Sequence, residues 1–485
     1  MTAMKKKSVS KALCGAFLAF CTFVSANAEF KAGFARIDVT PPLGIPLVGY
    51  FHTRPADGVF DPLCAECVAV SDGESTALIY SVDNLQLRNE FFAEAFPAIT
   101  AATGVPRDRI YVHSTHTHTG PAVIKFDEYT DEQVRLTELY AKMLVTRLAD
   151  VGRFAIADLE PSKLAVAKTV CPGISFIRRY RMKDGTVRTN PGLKNYHKVD
   201  RPLGSPDDTL QVVRFKRTGA PDIAIVNFGT HPDTVGGTKI SADWPGVVRK
   251  TFEDGIGGGV KCLFLNAAQG DVNHIDLQPS PARQALDGYK NKNTEKALAI
   301  AKYMGRKVAG VAMGVWDVCE EVPAGAVRGA VTPVAMKTNM PTADEIKWVD
   351  LYDAGRKDEI PLRGMELTTL TSRRSRVRML RNGPDHRDIL ISSVTIGNSL
   401  AFAGVPCEPF VDIGRDIKAG SPFRATLVSC LVNGSEGYIP STKAHHEGGY
   451  EGLSSRFKAE TGDRMAAAQV EQLKRLAGEK AAVAK

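Results

Sequence analysis

Apolar positions recur along this chain in two rhythms. Short β-branched or aliphatic runs predict strands over 37–39, Cys64–Ser71, 77–82, 109–114, 223–228, 260–265, 394–404 and 425–432. Asp72-Gly73 supplies a turn between the second and third. Longer stretches predict helices over 91–103, 131–150, 293–316, 409–418 and 453–478; in 131–150 the apolar positions Val134, Leu136, Leu139, Leu144 and Leu148 carry the pattern. The runs 223–228 and 260–265 are mostly apolar, as expected of central strands covered on both faces. Residues 321–395 are basic and turn-rich; only 341–355 opens like a helix. Strands and helices alternate to the end, with no Pro/Ser linker and no repeat. The pattern therefore predicts an α/β, or mixed α+β, fold in one domain, with a large mixed β-sheet core flanked by helices.

Composition changes this picture at the N-terminus. Lys5, Lys6, Lys7 and Lys11 precede an apolar run from Ala12 to Val24, then Ala26-Asn27-Ala28. That is the layout of a signal peptide over 1–28, cleaved before Glu29, and the run is short of the ~20 residues a membrane-spanning helix needs. A secreted or periplasmic protein of residues 29–485 is expected. Four of the lysines behind the formal charge of +8 sit in the leader, so the remainder is only mildly basic and nucleic acid is not an expected partner. Apolar content of 44% and charged content of 24% are ordinary globular values. Beyond the leader stand Cys64, Cys67, Cys171, Cys262, Cys319, Cys407 and Cys430, an odd number that leaves at least one thiol unpaired. Cys64-Ala-Glu-Cys67 has no partner pair and lies in a strand, so it reads as packing.

Four places put chemistry just beyond a strand, where open α/β sheets hold their ligands. In Ile110-Tyr-Val-His113-Ser-Thr-His116-Thr-His118-Thr-Gly120-Pro121, three of the chain's 10 histidines fall within a few positions. Residues two apart in extended chain share a face, so His116 and His118 converge and His113 turns away. Paired imidazoles suit zinc, whose catalytic sites use two or three protein nitrogens or oxygens and a water. The second place, Asn227-Phe228-Gly229-Thr230-His231-Pro232-Asp233, repeats the layout. Asp243, downstream of it, reads as a helix N-cap or as a carboxylate orienting a ligand histidine. The third, Asn266-Ala-Ala-Gln269-Gly270-Asp271-Val272-Asn273-His274, is an amide-rich turn in which Gly270 permits close backbone approach. The fourth, Pro406-Cys407-Glu408-Pro409, offers a carboxylate that suits either a metal or a helix N-terminus. The segment Asn433–Pro440 and the glycine-rich stretch around His445, His446 and Tyr450 then read as an active-site loop.

Taken in order, Thr115-His-Thr-His118-Thr-Gly-Pro, Asn227-Phe-x-x-His231-Pro, Asn266-x-x-x-Gly-Asp-Val, Gly404-x-Pro-x-Glu408 and Asn433-x-x-x-x-Tyr438 resemble the motifs of the neutral/alkaline non-lysosomal ceramidase family. The resemblance runs from about residue 34 to the end and covers the family's catalytic domain. The chain after Tyr438 is too short for the ~100-residue immunoglobulin-like domain of characterised members. The resemblance implies a secreted, zinc-dependent amidohydrolase that cleaves the N-acyl bond of ceramide or a related N-acyl lipid, with transient membrane-surface contact. It implies Zn(2+) held by His116, His231, Glu408 and Tyr438, with His118 as acid/base and Tyr438 beside the developing oxyanion. It places Arg178 and Tyr450 at the substrate. Where the family has a catalytic serine after Gly-Asp-Val, this chain has Asn273, which is no nucleophile; His274 follows it. That departure leaves open a zinc hydrolase acting on a non-lipid amide or ester, and a homologue that binds a ligand without catalysis.

Overall fold

The computed structural model describes residues 29–286, 294–362 and 365–478. The expected leader, and residue 293 at the start of one expected helix, lie outside them.

The larger sheet is built from β1 (Lys31–Asp38), β2 (Cys64–Ser71), β3 (Thr76–Val82), β4 (Ile110–Ser114), β5 (Glu160–Val170), β6 (Thr209–Arg217), β7 (Ile223–Phe228), β8 (Lys261–Asn266) and β9 (Glu320–Val322). Their spatial order is β8-β7-β6-β5-β1-β2-β3-β4, with β9 also beside β5. A second sheet follows chain order: β10 (Val327–Lys337), β11 (His386–Ile396), β12 (Leu400–Gly404) and β13 (Ala425–Ser429). The longer helices are α1 (Asn89–Thr103), α2 (Asp131–Ala157), α3 (Asp243–Ile256), α4 (Thr294–Trp316), α5 (Ala343–Asp353), α6 (Met365–Leu380), α7 (Val411–Gly420) and α8 (Thr461–Leu476).

Side-chain alternation sorts these elements into layers. In β7 and β8, Ile223, Ile225, Leu263 and Leu265 face one way, toward Phe402 and Leu427 of the second sheet. Ala224, Val226, Phe228, Cys262 and Phe264 face the other way, onto Trp244, Val248 and Phe252 of α3 and Met304 and Val308 of α4. The β2–β4 half sends Cys67, Tyr80 and Val112 against Phe92 and Ile99 of α1 and Leu144 and Leu148 of α2. The far side of the second sheet packs on Ile413 and Ile417 of α7 and Met465 and Leu473 of α8. The result is an α/β/β/α sandwich whose central strands are apolar on both faces, as a two-period chain between covered layers must be.

The mixed α/β class expected from the sequence holds, with differences of detail. The first strand is longer than 37–39, and α2 runs on to Ala157 behind a capping box of Thr130 and Gln133. The run 394–404 is not one strand: it reverses after Ile396, which pairs with Leu400. The stretch 321–395, left unordered by pattern, contributes β10, β11, α5 and α6.

Only three neighbouring pairs in these two sheets run parallel among the described strands: β3 with β4, β7 with β8, and β12 with β13. Asparagines bind the three pairs to one another. Asn227 Nδ2 donates to the carbonyls of Leu265 (3.0 Å) and Val428 (3.0 Å). The amide N–H of Asn266 donates to His113 Nε2 (3.1 Å). Asn433, at φ +59°, accepts from Val112 N–H (2.9 Å) and donates to the Ile110 carbonyl (2.9 Å). Each of these polar groups is buried and satisfied, which makes the register between pairs costly to change.

Candidate metal centre

The chain leaving each parallel pair supplies one wall of a single site. Beyond β4, His116 sits at φ +75°, a left-handed conformation that a β-carbon disfavours. Its N–H donates to the Asn84 carbonyl (2.9 Å) and its Nδ1 lies 2.8 Å from the Leu85 carbonyl, both just past β3. Beyond β7, His231 turns Nδ1 toward the Gln269 carbonyl at 3.3 Å, past β8. Glu408 follows β12, and Tyr438, past β13, pairs its short strand alongside it. Gly270 makes this closure possible: a β-carbon there would stand 2.5 Å from the Glu408 carbonyl oxygen.

The reactive edges meet. His116 Nε2 is 3.1 Å from His231 Nε2, 3.3 Å from His118 Nε2 and 3.1 Å from Glu408 Oε2. His231 Nε2 is 3.7 Å from the same carboxylate oxygen. Carbonyl oxygens only accept, so Nδ1 of His116 and of His231 carries the hydrogen and each Nε2 is a lone pair. Burial, followed by the charges of Arg178 and His116, holds His231 well below its ordinary pKa; burial and His116 bring His118 down to about 4. Burial would raise the Glu408 carboxyl, but His116, Arg178 and His118 together outweigh it and the net shift is downward. Electron-rich atoms crowded this closely, with protons disfavoured, are arranged for a cation. The nitrogens of His116, His118 and His231 lie close enough together to hold one metal ion.

His118 therefore stands within ligand reach, as well as being the half-buried member of the three. His116 and His118 do converge, though by the left-handed turn at His116 rather than by strand alternation. His113 faces away, buried and occupied by Asn266. The loop over His118 was not read from sequence: Gly49, at φ +106°, packs where a β-carbon would stand 2.8 Å from the imidazole. Arg54 donates to the His118 carbonyl (2.6 Å) and lies 4.0 Å over the Tyr50 ring. A glycine with polar and aromatic neighbours was the only available signal.

The remaining expected residues fall around this centre. Tyr438 stacks on His231, ring centroids 6.4 Å apart, and Tyr450 meets Tyr438 edge-on at 5.6 Å. Arg178 is 4% exposed; it donates to Glu451 (2.8 Å) and to the Gly270 carbonyl (2.7 Å), and its guanidinium lies 5.2 Å from the Tyr438 ring centre. Asn273 is 0% exposed, donating to Asn190 (2.9 Å) and accepting from Ile275 N–H (3.0 Å). Asp243 clamps the loop after His231 by accepting from the Thr234, Val235 and Trp244 N–H groups, and bonds no imidazole. His445 and His446 meet each other, away from the three imidazoles. The seven cysteines among the described residues are free thiols.

Asp271, in the wall opposite Glu408, accepts from Val411 N–H (2.9 Å) at the start of α7. Burial pushes its carboxyl up to about 7. The folded chain then holds this proton more tightly than the unfolded one, so stability falls as pH rises from the unfolded value through about 7 and is level above. The variant Asp271→Asn escapes that loss. Its stability advantage over wild type should widen by on the order of 2 kcal/mol between about pH 5 and about pH 8, read by denaturant unfolding; a constant gap would refute the assignment.

Three imidazoles and a carboxylate at the mouths of parallel strand pairs define a possible metal site of the kind hydrolases use. The surrounding fold is that of the neutral ceramidases. Neutral ceramidase from Pseudomonas aeruginosa superposes with a TM-score of 0.70 at 17% sequence identity, over 94% of this chain and 76% of that one. A ceramidase complexed with C2 superposes with a TM-score of 0.67, also at 17% identity, over 94% and 77%. No protein-family model matches the chain, and no curated protein sequence matches it significantly.

Proposed function

We propose that this chain is an exported zinc amidohydrolase that cleaves the N-acyl bond of ceramide or a related N-acyl lipid. The observation that carries the reading is the convergence of His116, His118, His231 and Glu408 inside a neutral ceramidase fold. Atoms bonded to a tetrahedral zinc at about 2.0 Å lie about 3.3 Å from one another, close to the spacing here. Bound zinc would polarise the acyl carbonyl and make a water nucleophilic near neutral pH. His116, His231 and Glu408 fit as its ligands, with Tyr438 as the fourth by resemblance. His118, half-buried and neutral, accepts a proton at Nε2 and returns it to the leaving amine. Tyr438, held by Arg178 beneath it, stands beside the oxyanion that forms as the carbonyl carbon becomes tetrahedral. Tyr450 and Phe51 meet edge-to-face, ring centroids 6.2 Å apart, and offer an apolar chain an aromatic surface beside Tyr438. One of the similar structures is a ceramidase complexed with C2, which supports a lipid-like substrate.

Elemental analysis should find about one zinc per chain, and zinc-loaded protein should release fatty acid from N-acyl sphingoid bases, with loss of both on chelation. A folded, active, metal-free protein would sink the reading. The buried Asn273 favours a second reading, hydrolysis of a non-lipid amide or ester at the same metal. Turnover of small acyl amides with every ceramide inert would select it. Metal retained in His118→Ala with activity lost assigns that residue to proton transfer; loss of metal makes it a ligand.

A further inference from the structure

Asn273 occupies the position where the resemblance expects a serine, yet it reaches no open space. Its neighbour does. His274 and Asp233 face each other, Nδ1 to Oδ1 3.2 Å, with side chains 12% and 23% exposed. Asp233 follows His231 by two positions, and its charge acts on His118, His231 and Tyr50, so it borders the metal centre and the loop over it. Glu408 is committed to the imidazoles, and Glu451 is fully buried against Arg178 and Thr189. Asp233 is thus the carboxylate beside the centre that combines partial exposure with a single side-chain partner. Asp83 and Asp243, the other nearby acids, are closed in by their own partners.

We infer that Asp233, positioned by His274, receives a hydrogen-bond donor, hydroxyl or ammonium, carried next to the scissile nitrogen of the substrate. This inference rests on the amidohydrolase reading and adds a specificity residue to it. A carboxylate oxygen in a half-closed site is left short of a donor when the substrate lacks one, so analogues without the group are rejected. His274 occupies one side of Asp233 and fixes which oxygen is left for the substrate. It acts on substrate only through that carboxylate.

The test uses zinc-loaded full-length protein and three matched substrates, the same fatty acid joined to ethylamine, ethanolamine and ethylenediamine. Wild type should prefer the two donor-bearing amides over the ethyl amide by about ten- to a hundredfold in kcat/KM, the usual strength of a charged hydrogen bond. Which of the two is preferred tells hydroxyl from ammonium. In Asp233→Asn the preference, read as the ratio of kcat/KM values within that variant, should shrink to near unity whatever the change in overall turnover. His274→Ala should reduce the same ratio and add nothing in the Asp233→Asn background. An unchanged ratio in Asp233→Asn, or an equal fall for all three substrates, overturns the inference. Should wild type cleave none of them, the amidohydrolase reading fails instead. The inference then stands or falls on calorimetric binding of the same three amides, wild type beside Asp233→Asn.

Discussion

The variant His116→Gly should retain no stoichiometric metal, lose hydrolysis by roughly a thousandfold or more, and yet unfold within about 1 kcal/mol of metal-free wild type. His116 is the hub of the centre: its Nε2 lies within 3.3 Å of His118, His231 and Glu408 alike. Removing it takes away the atom common to the three shortest contacts. Stability responds differently, because the residue is strained. Its φ of +75° costs an L-residue on the order of 1–2 kcal/mol, which glycine does not incur. The lost bond to Leu85 costs a similar amount, about 0.5–1.5 kcal/mol, so the two nearly cancel. Metal analysis, an amidase assay and chelated unfolding curves check the three parts. Wild-type metal content in the variant would dismantle the ligand assignment, and a loss of several kcal/mol would show that the left-handed turn is not stored strain.

The second large effect lies behind the site. Arg249→Met should destabilise the protein by about 3–5 kcal/mol and lower its melting temperature by roughly 5–10 °C. Arg249 donates to both oxygens of Asp83, at 3.0 and 2.6 Å, and lies 3.5 Å from Glu66. Both carboxylates are fully buried, and methionine leaves the first with no cation. Asp83 closes β3 and stands directly before Asn84 and Leu85, whose carbonyls hold His116. Metal affinity should therefore drop along with stability. The double variant Asp83→Asn, Arg249→Met should regain part of the loss, since it buries no charge without a partner at that position. No recovery in urea unfolding would mean that the pair is not acting as a unit.

The sequence carried the central strands and the metal cluster because both are local signals. The apolar runs 223–228 and 260–265 announce strands covered on two faces, and His116, His118 and His231 each follow such a run. It did not carry β5, β6 or β10, whose alternating lysines and arginines look like loop until one face is known to be covered. The reversal after Ile396 was hidden because its two strands read as one apolar stretch. At the site, the pattern placed His116 and His118 together for the wrong geometric reason. A left-handed residue cannot be inferred from histidine's preferences, and neither can the pairing of Asp233 with His274, which join only when the chain segments beyond β7 and β8 come side by side. Asn227, Asn266 and Asn433 looked like motif residues awaiting chemistry; they are braces between the parallel pairs.

Those braces also set the order in which the molecule can be completed. Asn433 reaches Val112 across 321 residues, and His231 reaches His116 across 115. Closing loops of that length costs entropy before any contact returns it, and folds rich in such contacts form slowly. A chain made from its N-terminus holds His116, His118 and His231 long before Glu408 and Tyr438 exist. No nascent or truncated chain that stops short of Glu408 contains the whole cation-binding set. On the proposed ligand set, metal capture would wait for the end of synthesis, when the second sheet supplies Glu408 and Tyr438.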